Sequence, residues 1–263
     1  MECGFQTDRY AVQYKNTEAE PSLLWESHCH SLYEMIAVLD GDVTVAVEGR
    51  PLRLTAGTVT IVPPLAYHTI AVNKSGAYRR VTVLFDTAAL PSVLALRFQS
   101  AENADKLLKT DRAEALARAA SEEDTAFFQP LFHSILTEIL YEYVLAGADT
   151  ALAEDTLPDE TLRAILDDIE AHLSEKITLD GIAARVARSK SSVCHLFQSK
   201  MQISVKQYIL QKKFALAARM IRDGTPPTTA AVRIGYDNYG NFYRMYRKIF
   251  GISPEEDRQG KRT

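Results

Sequence analysis

Two stretches decide the fold of this chain: TLDGIAARVARSKSSVCHLFQSKM, residues 178–201, and TAAVRIGYDNYGNFYRMYRKIFGISP, residues 229–254. In the first, Leu179, Ile182, Ala183 and Val186 recur at helical spacing, and the chain breaks at 187–189. Ser189 is placed to cap a second helix that turns Val193, Leu196 and Phe197 inward. Ser191, Ser192, Cys194 and His195 are left on its outward face. The second stretch repeats the arrangement, with Ala231, Ile234 and Tyr236 inward and Gly235 in the turn. Phe242, Tyr246, Ile249 and Phe250 then form a core stripe, Tyr239, Asn241, Arg244, Arg247 and Lys248 face out, and Gly251 stops the helix. Two short helices joined by a tight turn form a helix-turn-helix, whose second helix can present side chains to base edges in the major groove. Superposing Phe197 on Tyr246 exposes a weak internal duplication, so two such units are expected.

Working outward, the periodicity predicts helices over 160–174, 179–187, 190–199, 204–222, 228–234 and 239–249. Charge divides the chain in the same place. Residues 160–263 hold 18 Lys+Arg against 11 Asp+Glu, whereas the remainder holds 12 against 23. A basic half joined to an acidic half suits a nucleic-acid-binding module attached to something else.

The segment 209–258 resembles the signature region of AraC/XylS-type transcription activators. The matching residues are Lys213, Ala217, Met220-Ile221, Gly235-Tyr236, Phe242, Arg244, Tyr246-Arg247, Phe250-Gly251 and Ser253-Pro254. Three features depart from the pattern: Pro227 with Thr228-Thr229 at the entry to the fifth helix, Cys194-His195 in the first recognition helix, and Asp257 where an aromatic residue usually precedes Arg258. The resemblance implies docking across successive major-groove segments, with Ser191, Cys194 and His195, then Tyr239, Gly240, Asn241 and Arg244, at the base-reading positions. Arg244 suits guanine and Asn241 adenine. Lys200, Arg247 and Lys248 fall where phosphate contacts position without specifying.

The N-terminal half reads as β structure from about Ser22 to Phe85, with Val43, Val45 and Val47 at period two and turns at Asp40-Gly41, Glu48-Gly49 and Ala56-Gly57. Close, regular strand spacing predicts a sandwich or small barrel. On a strand, His28 and His30 share a face that Glu34 can join, while Cys29 points away. His68 follows a second strand and the Pro63-Pro64 turn. The pattern HxHxxxE…G, then GxxxxxPxxxxH…N, resembles the two cupin motifs, which implies a barrel with His28, His30, Glu34 and His68 converging in its mouth. Three uses of this set stay open. The residues can hold Zn, Fe, Ni or Mn, can hydrogen-bond a small effector such as a sugar with no metal required, or can be satisfied core histidines. Trp25, Tyr33 and Tyr67 are candidate stacking surfaces for such an effector.

The expectation is therefore an α+β chain. A cupin-like barrel with an N-terminal arm occupies 1–86, helices 87–147, an acidic linker 148–159 and an all-α double helix-turn-helix domain 160–263. The stripe Leu131, Ile135, Leu136, Ile139, Leu140, Tyr143 and Val144, on a helix ending at Gly147, serves either packing against the barrel or pairing with a second copy. Expected partners are double-stranded promoter half-sites, a small-molecule effector, a homodimeric mate and RNA polymerase. No run of residues is long and apolar enough to span a membrane, the start MECGFQTDRY shows no export signal, and Cys3, Cys29 and Cys194 are scattered. A cytoplasmic regulator rather than an enzyme is expected. A metal-dependent cupin enzyme or metal sensor fused to a DNA-binding domain is the rival.

Overall fold

The computed structural model describes residues 2–7, 9–98, 106–122, 125–146 and 159–259, and their side chains except those of 23–27 and 125–126. The chain divides into two compact units, Met1–Pro158 and Asp159–Thr263.

The first unit is a two-sheet sandwich. Strands β1 (Glu2–Gln6), β2 (Tyr10–Ala19), β4 (Tyr33–Asp40), β7 (Thr58–Val62), β9 (Gly76–Phe85) and β10 (Leu108–Lys109) form a six-stranded antiparallel sheet in the order β1-β2-β9-β4-β7-β10. Strands β3 (Ser22–His28), β5 (Asp42–Val47), β6 (Arg50–Thr55) and β8 (His68–Val72) form the second, ordered β3-β8-β5-β6. Strand side chains alternate between faces, and both faces of the large sheet are covered. Met35, Ala37, Val59, Ile61, Val81, Val83 and Phe85 pack with Leu116, Phe132, Leu136, Ile139 and Tyr143 of the helices. Ile36, Val38, Val62 and Tyr78 turn the other way and meet Val43, Val45, Leu52, Ile70 and Val72 of the small sheet.

Several expectations change here. Residues 2–19 are not an arm but two paired strands, with Tyr10, Val12 and Tyr14 in the core and β2 matched residue for residue to β9 from Tyr10↔Phe85 to Ala19↔Gly76. Residues after 86 do not stand as a separate helical segment. Helices α1 (Ser92–Phe98), α2 (Arg112–Ser121) and α3 (Thr125–Leu145) share the sheet's core, and β10 adds to β7. Phe132 rather than Leu131 continues the inward stripe of α3, and Leu131 is half exposed. Gly147 and most of the proposed linker fall outside the described residues, while Asp159 caps the next helix.

The second unit is all helical: α4 (Glu160–Ala171), α5 (Leu179–Arg185), α6 (Lys190–Met201), α7 (Val205–Arg222), α8 (Pro227–Arg233), α9 (Tyr239–Phe250) and α10 (Pro254–Arg258). Side chains of Thr178, Ser189, Ser204, Asn238 and Ser253 cap α5, α6, α7, α9 and α10. Such caps contribute roughly 1 kcal/mol each. Pro227 opens α8 at the first helical position, where its missing N–H is harmless. The α5–α6 turn holds Ala187 at φ +53° and the α8–α9 turn holds Gly235 at φ +85°.

Long α7 serves both helix pairs. Its Tyr208 packs edge-on against Phe197 of α6, and Phe214 stacks on Phe242 of α9. Lys213 Nζ donates to the Glu175 carbonyl before the first pair (2.6 Å) and to the Ile234 carbonyl in the second turn (3.0 Å). This burial lowers its pKa.

Candidate sensor site and nucleic-acid interface

The sheet register brings the four motif residues of the barrel together. His28 pairs with His68 across β3 and β8, and Glu34 lies on the inward face of β4, opposite Val62 and Leu84. Their ligand atoms all lie within 4.8 Å of one another. Glu34 Oε2 is 2.8 Å from His30 Nε2 and 2.8 Å from His68 Nε2. The His28 and His68 rings are 4.3 Å apart. Glu34 is 3% and His68 1% exposed.

The outer nitrogens fix the chemistry of this cluster. His30 Nδ1 lies 2.9 Å from the Leu32 carbonyl and His68 Nδ1 lies 3.1 Å from the Ala66 carbonyl. A carbonyl only accepts, so each Nδ1 donates to it and each ring turns its Nε2 toward Glu34. His68 Nε2 sits close to Glu34 but has no partner in hydrogen-bonding alignment. Two Nε2 atoms and a carboxylate converge on one point, where a shared proton or a cation lies between them. This is the donor set and backbone-locked tautomer of a metal ligand group. Burial opposes ionisation of Glu34, but the His30 and His68 imidazoles outweigh it and lower the carboxyl to about 2.

Of the aromatic candidates, Tyr33 does not join the cluster. Tyr33 stacks on Phe85 (5.5 Å) and donates to the Phe98 carbonyl, on the helix-covered side. The buried Tyr67 hydroxyl lies against the Cys29 thiol, its pKa raised by burial and then by Cys29. The Trp25 side chain is outside those described. Sequence reading also missed the polar residues deeper on the inner face, Gln13, Arg80 and Thr82. The alternation in RRVTVLF could have separated inward Arg80 and Thr82 from outward Arg79 and Val81.

In the helical unit, Ser191, Cys194, His195 and Lys200 are exposed on α6, and Tyr239, Gly240, Asn241, Arg244, Arg247 and Lys248 on α9. Each set occupies the face opposite the buried Val193 and Phe197, or Phe242 and Tyr246. Arg244 Nη2 donates to Asn241 Oδ1 at 2.6 Å, so these two candidate readers hold each other in place. An open groove of about 500 Å³ runs beside the start of α6, between Arg188, Ser191, Ser192 and His195. The departure at Asp257 has a structural use. It is buried at 2% exposure and accepts from the Tyr246 hydroxyl (2.5 Å) and from Arg222 Nε (3.0 Å), tying α10 to α9 and α7.

A ligand-binding β sandwich followed by a double helix-turn-helix defines an effector-controlled DNA-binding regulator. Residues 20–184 match the family profile described as an AraC-like ligand binding domain, and residues 182–260 match a helix-turn-helix domain. The chain belongs to the AraC family of transcription regulators. It is 31% identical over 98 residues to the transcriptional regulator LumQ of Photobacterium leiognathi, covering 36% of this chain and 40% of LumQ. It is 22% identical over 269 residues to the transcriptional activator RhaS of Escherichia fergusonii, covering 97% of this chain and 96% of RhaS. The crystal structure of ToxT from Vibrio cholerae is similar over 96% of this chain and 95% of ToxT, at 9% identity and a TM-score of 0.41. Among the described residues, no helix is long and apolar enough to cross a membrane.

Proposed function

We propose that this protein is a cytoplasmic, homodimeric regulator, more an activator than an enzyme, whose barrel binds a small effector beside a divalent metal held by His28, His30, Glu34 and His68. The observation that carries the metal is the pair of Nδ1–carbonyl contacts, which aim the Nε2 atoms of His30 and His68 at one carboxylate. When bound, the metal supplies a Lewis-acidic anchor for an oxygen of the effector. The residues themselves fix that anchor in the inner face of the sandwich, away from bulk water.

On the DNA side, Arg244 and Asn241 read base edges. Tyr239, Gly240, Ser191, Cys194 and His195 read shape and smaller contacts, while Lys200, Arg247 and Lys248 hold phosphates. Dimerisation is supported by Phe127, Leu131, Tyr141 and Leu145, exposed large apolar residues along one side of α3. Effector binding shifts the balance between two arrangements of the dimer and so the pairing of half-sites and contact with RNA polymerase.

Metal analysis of the purified protein, before any ion is added, tests the sensor half. One equivalent of transition metal in the wild type and loss of it in His68→Ala support the reading; equal content in both removes the metal. Stoichiometric iron with turnover of a substrate would instead favour the rival, a cupin enzyme carrying a DNA-binding tail, built on the same four residues.

A further inference from the structure

Helix α7 carries a cationic side chain that reaches both halves of the helical unit. Lys213 Nζ donates to the Glu175 carbonyl, in the loop between α4 and α5, at 2.6 Å. It also donates to the Ile234 carbonyl at 3.0 Å. Ile234 is the C-cap of α8, where the helix leaves carbonyls unmade and the macrodipole places partial negative charge. Glu175 follows the turn that ends α4, its own N–H on the His172 carbonyl. A Cβ on Gly235 would stand 3.7 Å from the ammonium, so the charge lies against the α8–α9 turn itself.

A lysine that merely caps a helix meets one helix end. Lys213 meets two, and they lead to different recognition helices: Glu175 runs through Thr178 into α5 and α6, and Ile234 runs through the second turn into α9. Each recognition helix also packs on α7 through its own apolar layer, Phe197 of α6 on Tyr208 and Phe242 of α9 on Phe214. Apolar packing is non-directional. Charge-assisted N–H···O=C bonds fix distance and angle together. Burial strips water from the ammonium and lowers its pKa, and the two carbonyls stand in for the lost water.

We infer that Lys213 is a positioning residue that sets the distance between α6 and α9, and with it the number of base pairs separating the two sub-sites they read. The inference rests on both helices reading DNA, as proposed above. Changing that number by one moves a sub-site about 3.4 Å along the duplex and about 35° around it. To follow, α9 must move against α6, drawing apart two carbonyls that a single ammonium holds within hydrogen-bonding reach. Without the ammonium, that movement is resisted by the non-directional packing on α7. Because Lys213 Nζ is engaged by the two carbonyls, it acts on spacing and leaves base identity to Arg244 and Asn241.

The full chain is tested on a duplex selected by the wild type from random sequence. The base pairs at which Arg244→Ala and His195→Ala lose discrimination mark the two sub-sites, and companion duplexes carry one base pair added or removed between them. Anisotropy at fixed salt gives the affinities. The wild type should lose roughly tenfold or more on either change of spacing. Lys213→Met, which keeps the apolar stem and donates nothing, should bind the parent duplex roughly threefold to tenfold more weakly and lose no more than about threefold on changed spacing. It should keep wild-type discrimination at the Arg244-dependent base pair. If Lys213→Met does not fold, one glycine inserted between Glu175 and Lys176, both exposed in a loop, displaces the first carbonyl with the lysine intact and should give the same pattern. A wild type indifferent to spacing, a folded variant that keeps the wild-type spacing preference, or one that loses base discrimination as fully as spacing preference would overturn the inference. Selective duplex binding by the wild type in those cases would leave the DNA-reading proposal standing, while its absence would sink that reading separately.

Discussion

Replacing Asp257 by alanine is expected to loosen the second helix-turn-helix. The side chain removed is 2% exposed and accepts from the Tyr246 hydroxyl and the Arg222 guanidinium. Orphaning the hydroxyl of Tyr246, itself fully buried, costs about 1–3 kcal/mol. Breaking a buried ion pair costs about 3–5 kcal/mol, but the Arg222 side chain is 26% exposed, so water recovers part of that. A total near 3–4 kcal/mol follows, and for a unit of roughly 100 residues each kcal/mol moves Tm by about 4–8 °C. Urea and thermal unfolding of the full chain, followed by its helical circular dichroism, should show the transition falling by about 12–32 °C. Adding Tyr246→Phe to Asp257→Ala removes the orphaned hydroxyl and should restore about 1–2 kcal/mol. A loss below about 1 kcal/mol for Asp257→Ala, or no recovery in the double variant, would refute the claim that this buried triad ties α10 to α9 and α7.

Three further outcomes are expected. Arg244→Ala should cost about 1–3 kcal/mol at one base pair and relax specificity there, while Ser191→Ala should cost less; competition binding against single-base operator variants would show equal losses if the division is wrong. Leu131→Glu with Leu145→Glu should turn the dimer into monomers in sedimentation, with the barrel's thermal transition unchanged, and a dimer surviving both charges would remove α3 from the interface. The Asp42 carboxyl is held well below its usual range, first by Arg53 and then by Asn73 and Lys74, against opposing burial. A depressed carboxylate stabilises fully above its unfolded pKa, about 4, and loses that contribution as pH falls. Asp42→Asn should therefore lower stability at neutral pH and flatten the acid side of the stability profile; an unchanged slope below pH 4 would contradict this.

Most of the helical unit was legible because local rules decide it. Ser189, Ser204 and Asn238 are caps by chemistry, Gly235 and Gly251 occupy positive φ, and Phe197, Phe242 and Tyr246 recur at helical spacing. The histidine cluster was legible from the spacing shared with the cupin motifs and not from alternation along one strand: His28 ends β3, His30 lies between strands and Glu34 is on β4 of the other sheet. What stayed hidden depends on pairing between distant strands. YAVQYK carries a period-two pattern, but only its register on β9 makes it sheet rather than arm, and makes Gln13 a neighbour of Thr82. Tyr33 was misplaced for a related reason: both faces of the large sheet carry apolar residues. Asp257 could be seen as a departure from the family pattern, but its partners Arg222 and Tyr246 lie 35 and 11 residues away.

The central claim is that occupancy of the barrel sets the DNA affinity of the helical unit. Its most direct test is the salt dependence of binding to a selected promoter duplex and to a scrambled one, with and without added divalent metal. The account predicts a preference for the promoter of roughly a thousandfold or more at physiological salt, lost affinity as salt rises for both duplexes, and a promoter affinity that changes with metal in the wild type but not in His68→Ala. Equal affinity for the two duplexes at every salt concentration, or a promoter affinity indifferent to everything added to the barrel, would contradict it.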